Sequence, residues 1–340
     1  MKRSLLLGLL ATLALTACRH NAHEPFRLHG EAQGTYYSIV YYDRLGRDIS
    51  DQVKPFLDDF DKTASLWIEN SLIRRVNANA TDTVSSSFAD LFLLSDSIRR
   101  YTHGAFDCRV GRLVQAWGFS FRQREELNPQ TLDSLLRSAH SDVWLDITSD
   151  GTILIHKEDP ATELDFNAIA QGASVDLMAR WFEDSLGIHD FLIDIGGEVI
   201  AKGHKPSGEA WAVGIERPAA GRYDQPEVET AIRLKNASVV TSGNYRKYYE
   251  RDGVRYSHTI DPSTGRPVQH SLLSVSVVSR EAWYADAMAT AFMVMGLEKS
   301  LQFIADHPDN SDIQAVFFIY DDGGEYRTLA TPAFQQLIIR

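Results

Sequence analysis

The chain has 340 residues, 44% of them hydrophobic and 24% charged, with a formal net charge of −12. That composition supports an ample core in one large domain or two, and a negative charge spread along the chain excludes the basic footprint of a nucleic-acid binder. Cys18 and Cys108 are the only cysteines, which excludes a disulfide framework.

At the amino end, Lys2 and Arg3 precede an apolar, leucine-rich run from Ser4 to Ala14. The run is shorter than the ~20 residues a bilayer requires and is followed by Leu15-Thr16-Ala17-Cys18. A basic start, a short apolar stretch and small residues before a cysteine predict a lipoprotein signal peptide over residues 1–18, with Cys18 as the lipidated first residue of the mature chain. An ordinary secretory signal with a chance cysteine is the alternative. Residues 19–27 read as a short polar tether and residues 28–340 as one domain. The expectation is a membrane-anchored lipoprotein on the extracytoplasmic, periplasmic side. Cys108 then reads as a buried thiol rather than a nucleophile.

From Leu28 to Asp43, Thr35, Tyr37, Ile39 and Tyr41 alternate with Tyr36, Ser38, Val40 and Tyr42, a β-rich opening strand. Ile49, Val53, Phe56, Leu57 and Phe60 recur at helical spacing, with Pro55 expected to kink that helix or set its start. Ser87 to Tyr101 is a stronger helix, in which Ser87 and Asp90 resemble a capping pair and Gly104 can act as the stop. Short helices are predicted around Val110–Trp117 and from Asn128-Pro129 onward. Val143–Ile147 and Ile153–His156 flank Ser149-Asp150-Gly151, a hairpin signal. Ile169 to Leu186 is a long helical pattern closed by Gly187. Strands are predicted at Phe191–Ile195, Val199–Lys202, Trp211–Glu216, Thr230–Leu234, Ser238–Thr241 and Leu272–Ser279. The last of these passes into helices at Glu281–Met295 and Leu297–Ala305, and two further strands around Asp321-Asp322-Gly323-Gly324 finish the chain. Hairpins with interleaved helices, rather than a regular βαβ series, predict an α+β fold with mixed, mostly antiparallel sheets.

Several stretches carry residues suited to chemistry. Gly104-Ala105-Phe106-Asp107 is either a helix stop or a backbone edge for a base. Asp165-Phe166-Asn167-Ala168-Ile169-Ala170-Gln171-Gly172 precedes the long helix; Asp165 or Asn167 suits its cap, and free N–H groups at such a start also suit an anionic ligand. Asp194-Ile195-Gly196-Gly197 is a tight turn or a place where a ligand approaches backbone closely. Thr241-Ser242-Gly243-Asn244-Tyr245 is a turn or a pocket lip.

His258-Thr259-Ile260-Asp261-Pro262-Ser263-Thr264-Gly265-Arg266-Pro267 follows the strand-like Val254 and Tyr256. Two prolines fix φ on either side of its glycine, so it is either a stiff hairpin corner or a rigid support for one histidine. In Ala285-Asp286-Ala287-Met288-Ala289-Thr290-Ala291, Asp286 and Thr290 are four apart and share a helix face. A carboxylate and a hydroxyl together form a hard oxygen site suited to Mg²⁺; a polar stripe on an ordinary helix is the alternative. The chain has no GxxxxGK[ST], GxGxxG or GxSxG motif, which removes the commonest nucleotide-binding and hydrolase readings.

Taken in order from Gly34-Thr35 to Thr290, these segments together with Trp117-Gly118-Phe119 resemble the FAD:protein FMN transferase (ApbE-like) family. The resemblance implies a single ApbE-like domain and an extracytoplasmic enzyme that uses Mg²⁺ and takes FAD as substrate. Members transfer FMN to a Thr or Ser hydroxyl of a target protein and release AMP; membrane redox-complex subunits are the expected targets. It also implies a metal held by Asp286, Thr290 and the carbonyl oxygen of Ala168. FAD contacts would fall on Gln33, Trp67, Ala105, Phe106, Asp107, Asp165, Gln171 and Ile260. The family commonly has Met where this chain has Gln33, Lys or Glu where it has Gln171, and prolines where it has Cys108 and Arg112.

The acceptor hydroxyl needs a general base, and His258 suits that role with an ordinary pKa of ~6.5. Asp165 or Asp261 could serve instead, by orienting or replacing it, and the alternative role for His258 is to hydrogen-bond the flavin or its ribityl chain. Two other functions fit the same residues: an FAD pyrophosphatase giving FMN and AMP, and a lipoprotein that binds flavin without turnover.

Overall fold

Alternating aromatic and aliphatic residues at the amino end build a hairpin of two strands, Phe26–Ala32 and Thr35–Tyr42. The single opening strand expected over this stretch is broken at Gln33-Gly34, where both residues are left-handed with φ of 54° and 72°, the conformation of a two-residue hairpin turn. The computed structural model describes residues 24–121, 125, 127–218, 227–244, 248–251 and 254–339. The predicted signal peptide, Cys18 and most of the tether lie outside the described residues, as does Tyr245.

The hairpin starts an eight-stranded sheet that continues through Asp190–Ile195, Glu198–Lys202, Ala237–Gly243, Leu272–Ser279, Ala315–Asp322 and Glu325–Ala330. Neighbours in the sheet follow one another in chain order and every pairing is antiparallel. The other elements, apart from a helix after the last strand, are insertions between adjacent strands. Two smaller sheets fit the same scheme: Val143–Ile147 and Ile153–Lys157 with Thr83–Val84, and Trp211–Arg217 with Glu227–Leu234. The result is the mixed, mostly antiparallel α+β architecture expected from the sequence.

Both faces of the main sheet are buried, so its period of two sorts side chains into two cores. Ile39, Tyr41, Ile193, Val240, Val316 and Phe318 join one core beneath the helices. Their alternates Val40, Tyr42, Leu192, Val239, Phe317 and Ile319 join a second core with Trp211, Ile232 and Phe334. Each fully buried side chain of this size contributes roughly 1.5–3 kcal/mol. A third cluster packs Ile260 against Leu113, Trp117, Leu132 and Leu135, fastening the loop after His258 to two helices, Gly111–Ala116 and Pro129–Ala139.

Local chemistry sets the helix ends, with some differences from expectation. Ser85, not Ser87, caps the Ser86–Tyr101 helix, its side chain accepting from Phe88 N. Pro55 lies within the Ser50–Ala64 helix rather than at its start. Ala170–Arg180 is α-helical and passes into a π-helical turn at Trp181–Ser185. The helix over Ala282–Asp306 breaks at Gly296, with φ 75° and ψ 174°, which is where the sequence divides it. A short helix, Pro332–Leu337, capped by Thr331, follows the last strand. Among the described residues no helix is long and apolar enough to cross a membrane.

Candidate active site

The site is organised by the crossing of two helices, Ala170–Arg180 and Ala282–Asp306. Gly172 is required there because a Cβ would meet the Ala282 carbonyl oxygen at 2.5 Å and Asp286 Cβ at 2.9 Å. With no side chain in the way, Gly172 N–H donates to Asp286 Oδ2 at 3.1 Å. A regular helix would give that amide to the Ala168 carbonyl four residues back. Among the described residues no backbone amide is bonded to the Ala168 oxygen, which lies one turn from the amide holding Asp286.

Asp286 is 5% exposed. Burial raises its pKa above the ordinary carboxylate range, the Gly172 amide opposes that rise, and the Asp176 carboxylate adds to it. Among the described residues no cation contributes to that balance. A buried carboxylate held by one amide and facing another carboxylate is poorly compensated, and a divalent ion on hard oxygens compensates it directly. Thr290, one turn along the same face, has its Oγ1 3.4 Å from Ser242 Oγ. Among the described residues there is no group of three or more His, Cys, Asp or Glu that could hold a metal. A carboxylate, a hydroxyl and a main-chain carbonyl are not such a group, and they suit Mg²⁺ rather than zinc.

Other candidates converge on the same helix start. Gln171 Nε2 donates to Ile195 O at 2.9 Å, across Gly196, which has φ +66° and whose Cβ would lie 2.1 Å from that nitrogen. Gln33, in the hairpin turn, accepts from Ser174 Oγ at 3.1 Å. Its Nε2 is buried with no hydrogen-bond partner among the described residues. The Asp61 carboxyl is close enough to feel the Gln33 amide, and burial pushes Asp61 up to about 6.

Asp165 forms a turn with Asn167 N on its Oδ1 at 2.8 Å, and its own amide donates to Cys108 O at 2.7 Å. This joins the Asp165 loop to the Gly104–Asp107 segment. Ala105 is partly buried, Phe106 is 2% exposed, and Asp107 is clamped by Arg109, whose Nη2 approaches its Oδ2 at 2.7 Å. Cys108 is buried, and burial pushes its thiol well above the usual range, which suits an inert core group.

His258 lies at the end of the Val254–Ser257 strand with its ring edge toward Phe119 at 6.4 Å. Thr259 Oγ1 donates to Asn244 Oδ1 at 2.8 Å, two residues from the Ser242 that meets Thr290. The His258 loop is thereby tied to the helix of Asp286. Two sequence candidates stand apart from this convergence. Ile260 is buried in the separate Leu113–Trp117–Leu132 cluster, and Trp67 is 65% exposed, edge-on to Phe121. A recess of about 320 Å³ behind the Gly104–Asp107 segment carries Arg99, Arg100 and His140, with both arginines already paired to Asp96.

The model of the ApbE family matches residues 33–317. The chain belongs to the ApbE family. Over 99% of both chains it is 32% identical to an FAD:protein FMN transferase of Vibrio cholerae. It is 30% identical to the Escherichia coli protein of the same name, over 94% of this chain and 91% of the other. Among solved structures, the flavin transferase ApbE from Vibrio cholerae superposes with a TM-score of 0.77 at 29% identity, over 92% of this chain and 99% of the other. The apo flavinyl transferase ApbE of Pseudomonas stutzeri gives 0.78 at 30% identity, over 92% of this chain and 96% of the other.

Three features of this ApbE-family chain lie outside the sequence expectations: Asp176, Ser174 and the Asn244–Thr259 bond. Asp176 carried a signal. It lies among Val175, Met178 and Ala179 on the buried side of its helix and is only 1% exposed, a place where carboxylates are rare unless paired.

Proposed function

We propose that this chain transfers FMN from FAD to a Thr or Ser hydroxyl of an acceptor protein, releasing AMP. The observation that carries the proposal is the Gly172–Asp286 junction. It sets a poorly compensated carboxylate beside a helix start, one turn before Thr290 on its own helix and against the amide four residues after Ala168, in the loop that precedes the other helix. Asp286, Thr290 and the Ala168 carbonyl would hold Mg²⁺; the chemistry supplied there is neutralisation of charge on the departing phosphate.

The protein's own groups do the rest. Gln171 and Gly196 close one side of the helix start. Gln33, Asp165 and the Ala105–Asp107 backbone lie on segments tied to that start and would line the FAD, with Trp67 and Ile260 at its margins. His258 would take the proton of the acceptor hydroxyl as its oxygen bonds to the FMN phosphorus. The bond from that phosphorus to the bridging oxygen breaks, and AMP leaves with the electron pair. Asn244 fixes the backbone beside His258 through Thr259, so the base is oriented before the acceptor arrives. We further propose that Cys18 carries a lipid, holding the domain at the periplasmic face of a membrane where redox-complex subunits would be acceptors.

The test mixes the protein lacking residues 1–18 with FAD, Mg²⁺ and a candidate membrane redox subunit. A fluorescent band surviving a denaturing gel, with AMP released in equal amount, is the expected outcome. AMP without a covalent band would replace transfer by hydrolysis, and bound flavin with no AMP would replace catalysis by storage.

A further inference from the structure

The two helices that meet at the site exchange carboxylates. Gly172 N–H donates to Asp286 Oδ2 at 3.1 Å, and in return Ala282 N–H and Trp283 N–H donate to Asp176 Oδ1 and Oδ2, both at 2.8 Å. Gly172 and Asp176 are four apart on one helix, and Ala282 and Asp286 are four apart on the other. Each helix thus gives an amide from near its start to a carboxylate one turn along its partner. The Ala282–Asp306 helix has no cap of its own, since Glu281 makes no side-chain capping bond. Its free amides are satisfied from across the interface instead.

We infer that Asp176 is a positioning residue for the reaction, fixing the first turn of the helix that presents Asp286 and Thr290 to the metal. The inference rests on the metal assignment under the proposed function and goes beyond it, because Asp176 touches neither metal nor substrate in that assignment. Two amides held in one carboxylate fix both the start and the rotation of the helix. Asp286 is three residues after Trp283, so a change in the first turn carries directly to its oxygens. Asp176 is 1% exposed, and burial, the largest influence, raises its pKa while the two amides oppose the rise. The Glu281 charge adds to that rise and Arg180 offsets part of it, so a buried carboxylate is an expensive way to cap this helix. Its two bonds to the first turn of the other helix fit a geometric role better than one of stability alone.

The experiment titrates Mn²⁺ into the protein with FAD present and no acceptor, following free Mn²⁺ by electron paramagnetic resonance. Asp176→Ala, Asp176→Asn, Asp286→Ala and Phe334→Leu are compared with the unaltered protein. Phe334 lies in the core on the other face of the sheet and serves as a control of matched instability. Asp176→Ala is expected to weaken Mn²⁺ binding about tenfold. Asp176→Asn, which keeps one acceptor oxygen, is expected to fall between it and the unaltered protein. FAD affinity at saturating metal should stay within about twofold in both, and Phe334→Leu should lower Tm without changing Mn²⁺ affinity. If Asp286→Ala abolishes binding while both Asp176 variants bind normally, the positioning role is wrong and the metal assignment stands. If Asp286→Ala also binds normally, both are wrong. Equal weakening by Phe334→Leu would reduce the role of Asp176 to stability and overturn the inference.

Discussion

The indole N–H of Trp117 donates to the carbonyl oxygen of Gly265 at 2.7 Å, joining residues 148 apart in the chain. His140 Nε2 lies 3.0 Å from Pro262 O, a second fastening of the same loop. The loop that follows His258 is therefore held by side chains from helices outside it, as well as by its own prolines. Trp117→Phe keeps the apolar packing and removes the donor, so a loss of ~1 kcal/mol is expected, read as a lower urea midpoint. The transfer rate should fall with it, and an unchanged rate would separate loop rigidity from catalysis.

Gly265 itself has φ +65°, and a Cβ there would meet Leu132 Cδ1 at 2.9 Å and Leu113 Cδ2 at 3.0 Å. Gly265→Ala combines backbone strain with crowding and should cost ~1–3 kcal/mol. A variant as stable as the parent in chemical denaturation would refute the close fit.

If His258 is the general base, His258→Ala should lower kcat for transfer by ~10²–10⁴. Flavin binding, followed by fluorescence quenching, should change little. Full turnover in the variant would return the role of base to Asp165 or Asp261.

Gly172→Ala tests the helix crossing. Its Cβ would press on a backbone oxygen at 2.5 Å, which cannot swing aside as a side chain does. We expect ~1–3 kcal/mol of destabilisation together with weaker metal dependence, since the Asp286 hydrogen bond shifts with the backbone. Mg²⁺ titration of the rate measures the second effect.

Asp107 and Arg109 form a buried pair, with side chains 4% and 10% exposed, and Arg109 Nη1 also donates to Ser141 O. Arg109→Ala leaves the carboxylate buried with the residue-109 amide on it but without its cation, which costs ~3–5 kcal/mol. Calorimetric unfolding should show a drop of several degrees in Tm, and a silent substitution would place Asp107 in contact with water.

Asp61 offers a pH test. Burial is the main cause of its rise from 3.8 to about 6; the Asp58 charge adds to it, while the Gln33 amide and Lys54 oppose it. A carboxyl whose folded pKa is raised binds its proton more tightly folded than unfolded. Its contribution to stability is complete below the unfolded value of 3.8 and is lost as pH rises through about 6. Replacing it by Asn should therefore flatten the fall in Tm over that window. Parallel Tm curves for parent and Asp61→Asn would show that Asp61 titrates normally.

Much of the site's chemistry was legible before any fold was known, because it is written at short range. Asp286 and Thr290 share a face by helical period alone, Asn128-Pro129 starts its helix as written, and Gly296 breaks the helix where expected. Ambiguity arose where several residues suited one local role. Ser85, Ser86 and Ser87 can each cap a helix, and the choice fell to the serine whose oxygen meets Phe88 N. Gln33-Gly34 is a weaker hairpin signal than Asn-Gly, so two strands read as one.

The amino-acid sequence alone determined which functional groups exist and how they are spaced along each element, since φ, ψ and helical period are local properties. It did not show which amides the buried Asp176 would hold, or that Gly172 is the amide for Asp286. Those pairings join residues 106 and 114 apart in the chain. They were decided by the antiparallel stacking of strands in chain order, which brings two inserted helices together, and by a glycine small enough to let their backbones touch.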